Sequence, residues 1–258
     1  MSVISATQFP TVRNGDVSGA GFREDFVSGG APIQPANVTS AGVLLNFDTP
    51  WFAQSRNGTT QTAILDNGFF PNLFAPPNVG VLKLQTDGTS TGGLSLSKQP
   101  AVLSYANFSA WQVDIILSTL FFGSAAFRVG FADVPLNDAP TNGIWVRYDT
   151  AQNDAYFTWE TRSKNSSTGV TDNVTSIQNS VLFNGNGSFY HFRMRSLVAG
   201  SVLFSVNNGA EAPLRVGVPN LPNTNVSLSP FIQLLDRGSS TPSMAVDFFS
   251  LDINTLRT

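Results

Sequence analysis

Between Trp111 and Glu160 the chain alternates apolar and polar residues in four successive runs. Trp111, Val113 and Ile115 alternate with Gln112 and Asp114, and Phe127, Val129 and Phe131 flank Arg128 and Gly130. Ile144-Trp-Val-Arg-Tyr148 and Ala155-Tyr-Phe-Thr-Trp-Glu160 follow, with turn-forming residues between the runs. Alternation over five or more residues sends successive side chains to opposite faces of a strand. These runs therefore predict the centre of an antiparallel sheet. Its inner face is apolar, and its other face carries Arg128, Trp145, Arg147 and Glu160. The pattern returns in Phe189-Tyr-His-Phe-Arg-Met-Arg195, where Tyr190, Phe192 and Met194 oppose His191, Arg193 and Arg195.

Shorter runs at 22–26, 43–47, 79–85, 94–98, 101–103, 202–206, 231–235 and 244–251 add further strands, with a weak edge strand around Val174–Ile177. Nowhere does an apolar period of 3.6 residues persist for three turns, so the helix content is expected to be very low. Twelve to fourteen strands separated by Gly/Asn turns, with no internal repeat, predict an all-β fold of two packed sheets. Several strands are apolar on both sides, which suits a large sandwich better than a narrow barrel. Residues 1–20 are polar and aperiodic and read as an extended N-terminal arm, leaving 21–258 as one domain. Residues 48–78, rich in Asn, Gly and Pro but holding Trp51, Phe52, Phe69, Phe70 and Phe74, read as a long loop pinned across an edge.

Composition narrows the function classes. Charged residues make up 12% of the 258, and three lysines stand against eleven arginines. A low-Lys chain rich in Asn, Ser, Thr and Gly, with 21 Phe, resembles extracellular or virion-surface β proteins more than cytosolic enzymes. The net charge of −3 and the lack of a basic tract argue against nucleic acid as a partner. No cysteine is present, no run approaches the length of a membrane span, and Met1–Pro10, without a basic start or a long apolar run, is not expected to act as a signal peptide. Asn-x-Ser/Thr sequons, Asn37 and Asn173 among them, are read as chance in so Asn-rich a chain.

The order of motifs carries a resemblance. Phe127-Arg-Val-Gly-Phe-Ala-Asp133 precedes Asn142-Gly-Ile-Trp-Val-Arg-Tyr-Asp149. Phe157-Thr-Trp-Glu-Thr-Arg162, Ser188-Phe-Tyr-His-Phe-Arg-Met-Arg195 and Val202-Leu-Phe-Ser-Val-Asn-Asn-Gly209 follow. The chain ends in Ala245-Val-Asp-Phe-Phe-Ser-Leu251. This succession resembles the concanavalin A-like jelly-roll domain of tailed-bacteriophage structural proteins, over about residues 22–255. The resemblance implies a jelly-roll sandwich with a groove on one concave face, and a pairing of Glu24-Asp-Phe26 near the last strand. It implies a place on the virion as a capsid-decorating, head-fibre or tail-fibre subunit, with other virion proteins as partners and a homotrimer as the assembly.

Glucanases of this fold carry a Glu-x-Asp-x-(x)-Glu run that flanks the glycosidic bond. This chain has three glutamates, Glu24, Glu160 and Glu211, and none stands in that pattern. His191, the lone histidine, has no Gly-x-Ser-x-Gly elbow to serve. Asp133, Asp138 and Asn142 share one loop, where turn-making competes with Ca²⁺ ligation. The expectation is therefore no enzyme, no cofactor and no metal.

The polar face is the better lead, gathering Asp114, Arg128, Trp145, Arg147, Glu160, His191, Arg193 and Arg195. Structural pairing or a partner's docking is one reading. Glycan binding on an adhesin is the alternative, with a host-surface glycan as partner and Trp145, Arg147, Glu160 and Arg193 as the site. Trp159, which alternation sets opposite Glu160, is assigned to the core.

Overall fold

The computed structural model describes residues 19–24, 36–38, 41–46, 50–56, 61–66, 81–89, 91–98, 103–104, 110–120, 123–134, 140–163, 173–182, 186–196, 202–214, 221–222, 226–238 and 241–254. They form eighteen strands. The first eight are β1 (Gly19–Glu24), β2 (Ala36–Val38), β3 (Val43–Asn46), β4 (Pro50–Arg56), β5 (Gln61–Asp66), β6 (Val81–Gln85), β7 (Gly93–Lys98) and β8 (Leu103–Ser104). Then come β9 (Ala110–Leu120), β10 (Ala125–Ala132), β11 (Gly143–Asp149), β12 (Tyr156–Ser163) and β13 (Asn173–Leu182). The last five are β14 (Asn186–Ser196), β15 (Val202–Val206), β16 (Ala212–Leu214), β17 (Ser227–Asp236) and β18 (Ser243–Asn254). A 3-10 turn, Thr150–Gln152, joins β11 to β12. No helix among the described residues is long and apolar enough to cross a membrane.

The strands make two nine-stranded antiparallel sheets, a sandwich that fits a jelly roll. Sheet A runs β16-β15-β14-β9-β18-β6-β5-β2, with β1 also against β18. Sheet B runs β13-β12-β11-β10-β17-β7-β4-β3, with β8 also against β17. The long strand β18 has one flank on β9 and divides the other between two partners. Ser243–Val246 take β6, and Phe249–Asn254 take β1. A register shift between Val246 and Phe248 lies where the partners change, as a bulge re-aims a strand.

Alternation accounts for the core. Phe127, Val129 and Phe131 of β10, Ile144 and Val146 of β11, and Phe157 and Trp159 of β12 point inward from sheet B. Val113, Ile115 and Leu117 of β9, with Tyr190, Phe192 and Met194 of β14, answer from sheet A. Aromatic rings bridge the layers. Trp159 stacks on Phe204 at 4.5 Å, Phe157 meets Phe192 edge-on at 4.8 Å, and Trp51 meets Phe249 edge-on at 5.5 Å. Such pairs add about 0.5–1.5 kcal/mol each beyond the burial of their area.

The strand count exceeds the expected twelve to fourteen, and the largest difference lies in 48–78. That segment contains β4 and β5 rather than one long loop. In β4, Trp51, Ala53 and Ser55 are buried while Phe52, Gln54 and Arg56 are half-buried. The outward Phe52 and inward Ser55 blur the alternation, and Asn/Gly/Pro content dominated the reading. Residues 67–78 lie outside the described residues. So do residues 1–18 of the expected arm, whose last two residues already belong to β1. Glu24 pairs with Phe249 of the last strand, as the resemblance implied, and Asp25 and Phe26 lie outside the described residues.

Candidate functional site

The outer face of sheet B carries a dense ionic network. Arg128 and Arg147 stand directly opposite each other in the β10–β11 register. Like charges in that relation repel, so each needs its own carboxylates. Arg128 reaches Asp149 at 3.3 Å and donates to Gln233 at 3.0 Å. Arg237 adds a two-pronged contact to the same Asp149, through Nε at 3.1 Å and Nη2 at 2.6 Å. Arg147 reaches Asp154 at 3.1 Å and Glu160 at 2.5 Å, and Glu160 also accepts from Arg162. Asp149 and Glu160 are wholly buried.

The short β11–β12 connection builds this network. Asp149 caps the 3-10 turn by accepting from the Ala151 amide, and Asn153 takes the left-handed conformation that closes it. Asp154 then accepts from the Asp149 amide and from Thr158 Oγ1.

Trp145 belongs to this face but not to the solvent. Its indole is fully buried, edge-on to Phe231 at 6.1 Å, in a small cluster with Ala132. Arg162 lies over the ring at 5.4 Å. Two glycines make the slot. A Cβ on Gly143 would fall 2.5 Å from the indole, and one on Gly130 would fall 2.3 Å from the Ile144 carbonyl and 2.7 Å from Trp145 Cα.

The outer face of sheet A is organised differently, around one carboxylate. Asp114 of β9 is the direct register partner of Arg193 on β14. Its Oδ1 accepts from Arg193 Nε at 2.8 Å and lies 2.7 Å from His191 Nε2; its Oδ2 accepts from Gln112 at 2.6 Å. Burial pushes the Asp114 carboxyl up, but the bonds from His191, Gln112 and Arg193, with the arginine's charge, hold it below the ordinary value. On the same face Asp252 is pushed above its ordinary value, by burial and then by Asp114.

The strand β14 sends Phe189, His191, Arg193 and Arg195 outward. Phe189 is 41% exposed, and the side chains of Arg193 and Arg195 about 30%. Asn207, also left-handed, fixes the backbone of His191 by accepting its amide at 2.9 Å and donating to its carbonyl at 2.7 Å.

The predicted site is thus divided between two surfaces. Arg147 and Glu160 are brought together as an ion pair, with Trp145 beside Glu160 in the register. Arg193 is on the other sheet, so the four residues do not share a face. Alternation assigns a residue to the inside or outside of its own strand. It does not say to which of two sheets that strand belongs, and this is why Asp114, His191, Arg193 and Arg195 were merged with Arg128 and Trp145. Trp145 is outward, as read, yet its burial leaves no ring face for a sugar. Trp159 lies in the core, as expected. Phe189 was missed although its alternation with Tyr190 was available. Asp149 and Asp154, at the turn between two strands, carry no alternation signal that marks them as network carboxylates.

Asp133 accepts from the amides of Val134 and Thr141 and from the side chains of Thr141 and Asn142. Its oxygens are engaged in making the turn. Asp138 lies outside the described residues.

No family model matches the chain, and no curated protein matches it. Solved structures do. An endo-β-1,4-glucuronan lyase from the fungus Trichoderma reesei aligns over 76% of this chain and 89% of its own, at 8% identity and a TM-score of 0.55. The binding domain of botulinum neurotoxin serotype C1 aligns over 88% of this chain at 9% identity and a TM-score of 0.50; the chain spans about half (49%) of its length. A carbohydrate esterase of the Shiga toxin-encoding bacteriophage phi24B aligns over 78% of this chain and 90% of its own, at 12% identity and a TM-score of 0.44. At these identities the likeness concerns the fold alone, a two-sheet β-sandwich.

It also corrects one expectation. The missing glucanase acids and nucleophile elbow speak against two chemistries, and from them the chain was read as no enzyme. The same sandwich is the scaffold of a lyase, so that broader exclusion does not stand.

Proposed function

We propose that the protein is a carbohydrate-binding module or adhesin whose binding surface is the outer face of sheet A. The observation that carries this reading is the outward line of β14, where a 41%-exposed Phe189 shares a face with half-buried Arg193 and Arg195. An aromatic face packs against the C–H surface of a sugar ring, and guanidinium donors bond its oxygens. Buried Asp114 pre-orients Arg193 through Nε, which lowers the ordering cost of binding. The likeness to an endo-β-1,4-glucuronan lyase supports a fold compatible with such ligands. A glycan array probed with the chain and with Phe189→Ala tests it. Binding to a defined set of glycans, weakened about tenfold or more by the substitution, is expected, as for loss of a stacked ring. An array without hits would sink the reading.

A second reading, a virion subunit of capsid or tail assembled as a trimer, rests on the motif order shared with phage structural proteins. One structural observation favours it: Trp145, Phe231 and Arg128 on the outer face of sheet B are already buried, as in a protein whose groove is filled. Mass measurement in solution and binding to purified particles test it. A clean monomer without affinity for particles would count against it.

A further inference from the structure

Resting on the carbohydrate reading, we infer that the ligand is an extended acidic saccharide lying along β14, with a sugar carboxylate held by Arg193 and Arg195. Outward residues of one strand recur about every 6.5–7 Å, so the line from Phe189 to Arg195 is about 20 Å long. That is a track for several sugar units, with an aromatic ring at one end and two guanidinium groups at the other.

The arginines have donors to spare. Arg193 spends only Nε on Asp114, and its two terminal Nη groups make no hydrogen bond among the described residues. Arg195 gives Nη2 to Glu211 at 2.5 Å, and its Nη1 makes no hydrogen bond among the described residues; its Nε is buried, out of a ligand's reach. A carboxylate accepts two parallel N–H bonds from a guanidinium edge, which neutral sugar hydroxyls match less well.

The acids nearby do not cancel this preference. Asp114 is 4% exposed and already shared among three donors. Asp252 stands on β18, one strand beyond β9, with Gln112 between it and Arg195 in the register. Among the described residues, Glu211 is the acid that competes directly, through Arg195. A ligand carboxylate would take its place beside Arg195, or bind Arg193 alone.

The test is isothermal titration of the full chain with a uronic-acid oligosaccharide and with its carboxyl-reduced, neutral counterpart. The acidic form should bind about tenfold more tightly, the worth of one charge-assisted hydrogen bond. The gap should shrink as sodium chloride is raised. Arg193→Lys, which keeps the charge beside Asp114 but loses the planar fork, should bring the acidic form down to the affinity of the neutral one. Arg195→Gln should narrow the gap in part. Equal binding of both saccharides by the parent chain would overturn the acid preference while leaving the carbohydrate reading in place. Failure of both to bind would overturn both. A full preference retained by a folded Arg193→Lys would overturn the assignment to Arg193.

Discussion

On the outer face of sheet B, Arg128 and Arg147 confront each other across two strands, with their side chains only 4% and 12% exposed. On the outer face of sheet A, Arg193 and Arg195 follow each other along one strand and keep about 30% of theirs. Both faces pair arginine with carboxylate, so residue type does not separate them. Burial and satisfaction do. In sheet B the carboxylates each serve several donors within the protein, so these arginines are taken up internally. In sheet A one buried aspartate anchors side chains whose tips stay in water. A buried network fixes geometry, because losing either partner strands a charge. A half-exposed pair adds little stability and leaves donors for a ligand.

The sharpest way to break this contrast is to remove Glu160. Glu160→Ala leaves Arg147 and Arg162 without their buried carboxylate and should cost about 3–5 kcal/mol by denaturant unfolding. A loss below about 1 kcal/mol would place this network with ordinary surface pairs. Trp159→Ala should cost a similar 3–5 kcal/mol or so, as large core truncations do, and serves as the calibration for damage to the core itself.

Asp114→Asn should cost less, about 1–3 kcal/mol, because it weakens charge-assisted bonds that are partly solvated on the donor side. Its signature is in the pH profile. A carboxyl held below its ordinary value stabilises the fold above the unfolded pKa of about 3.9. That contribution fades as the pH falls from there through the folded value. The raised Asp252 works in the opposite sense: its burial penalty is relieved as the pH falls through its folded value. Acid titration of stability should therefore be shallower in Asp114→Asn than in the parent chain. Identical acid limbs would mean that Asp114 is not held ionised by its partners.

The smallest effect is expected at the rim. Arg195→Gln should change stability by less than about 1 kcal/mol and be indifferent to salt once made. A larger loss would show that sheet A's outer face is a structural network like that of sheet B.

Alternation alone made much of the architecture legible. Phe127, Val129 and Phe131, or Tyr190, Phe192 and Met194, cannot reach a common core except as strands with one buried face. Trp159 could be assigned to the core from its position opposite Glu160. That information is local, since the period of two is a property of the single strand. What lay beyond it was the partition of strands between sheets. Arg193 and Arg147 are both outward, and only the pairing of β14 with β9, and of β11 with β10, sends them to different surfaces. Burial of the outward side was also beyond local reading. Trp145 is closed off because Gly130 and Phe231, distant in sequence, converge on it across the sheet, while Gly143 on its own strand leaves room for the ring. The sequence by itself determined which residues face away from the core; the tertiary structure decided which of those meet water, because solvent access depends on contacts between segments that no single strand's pattern contains.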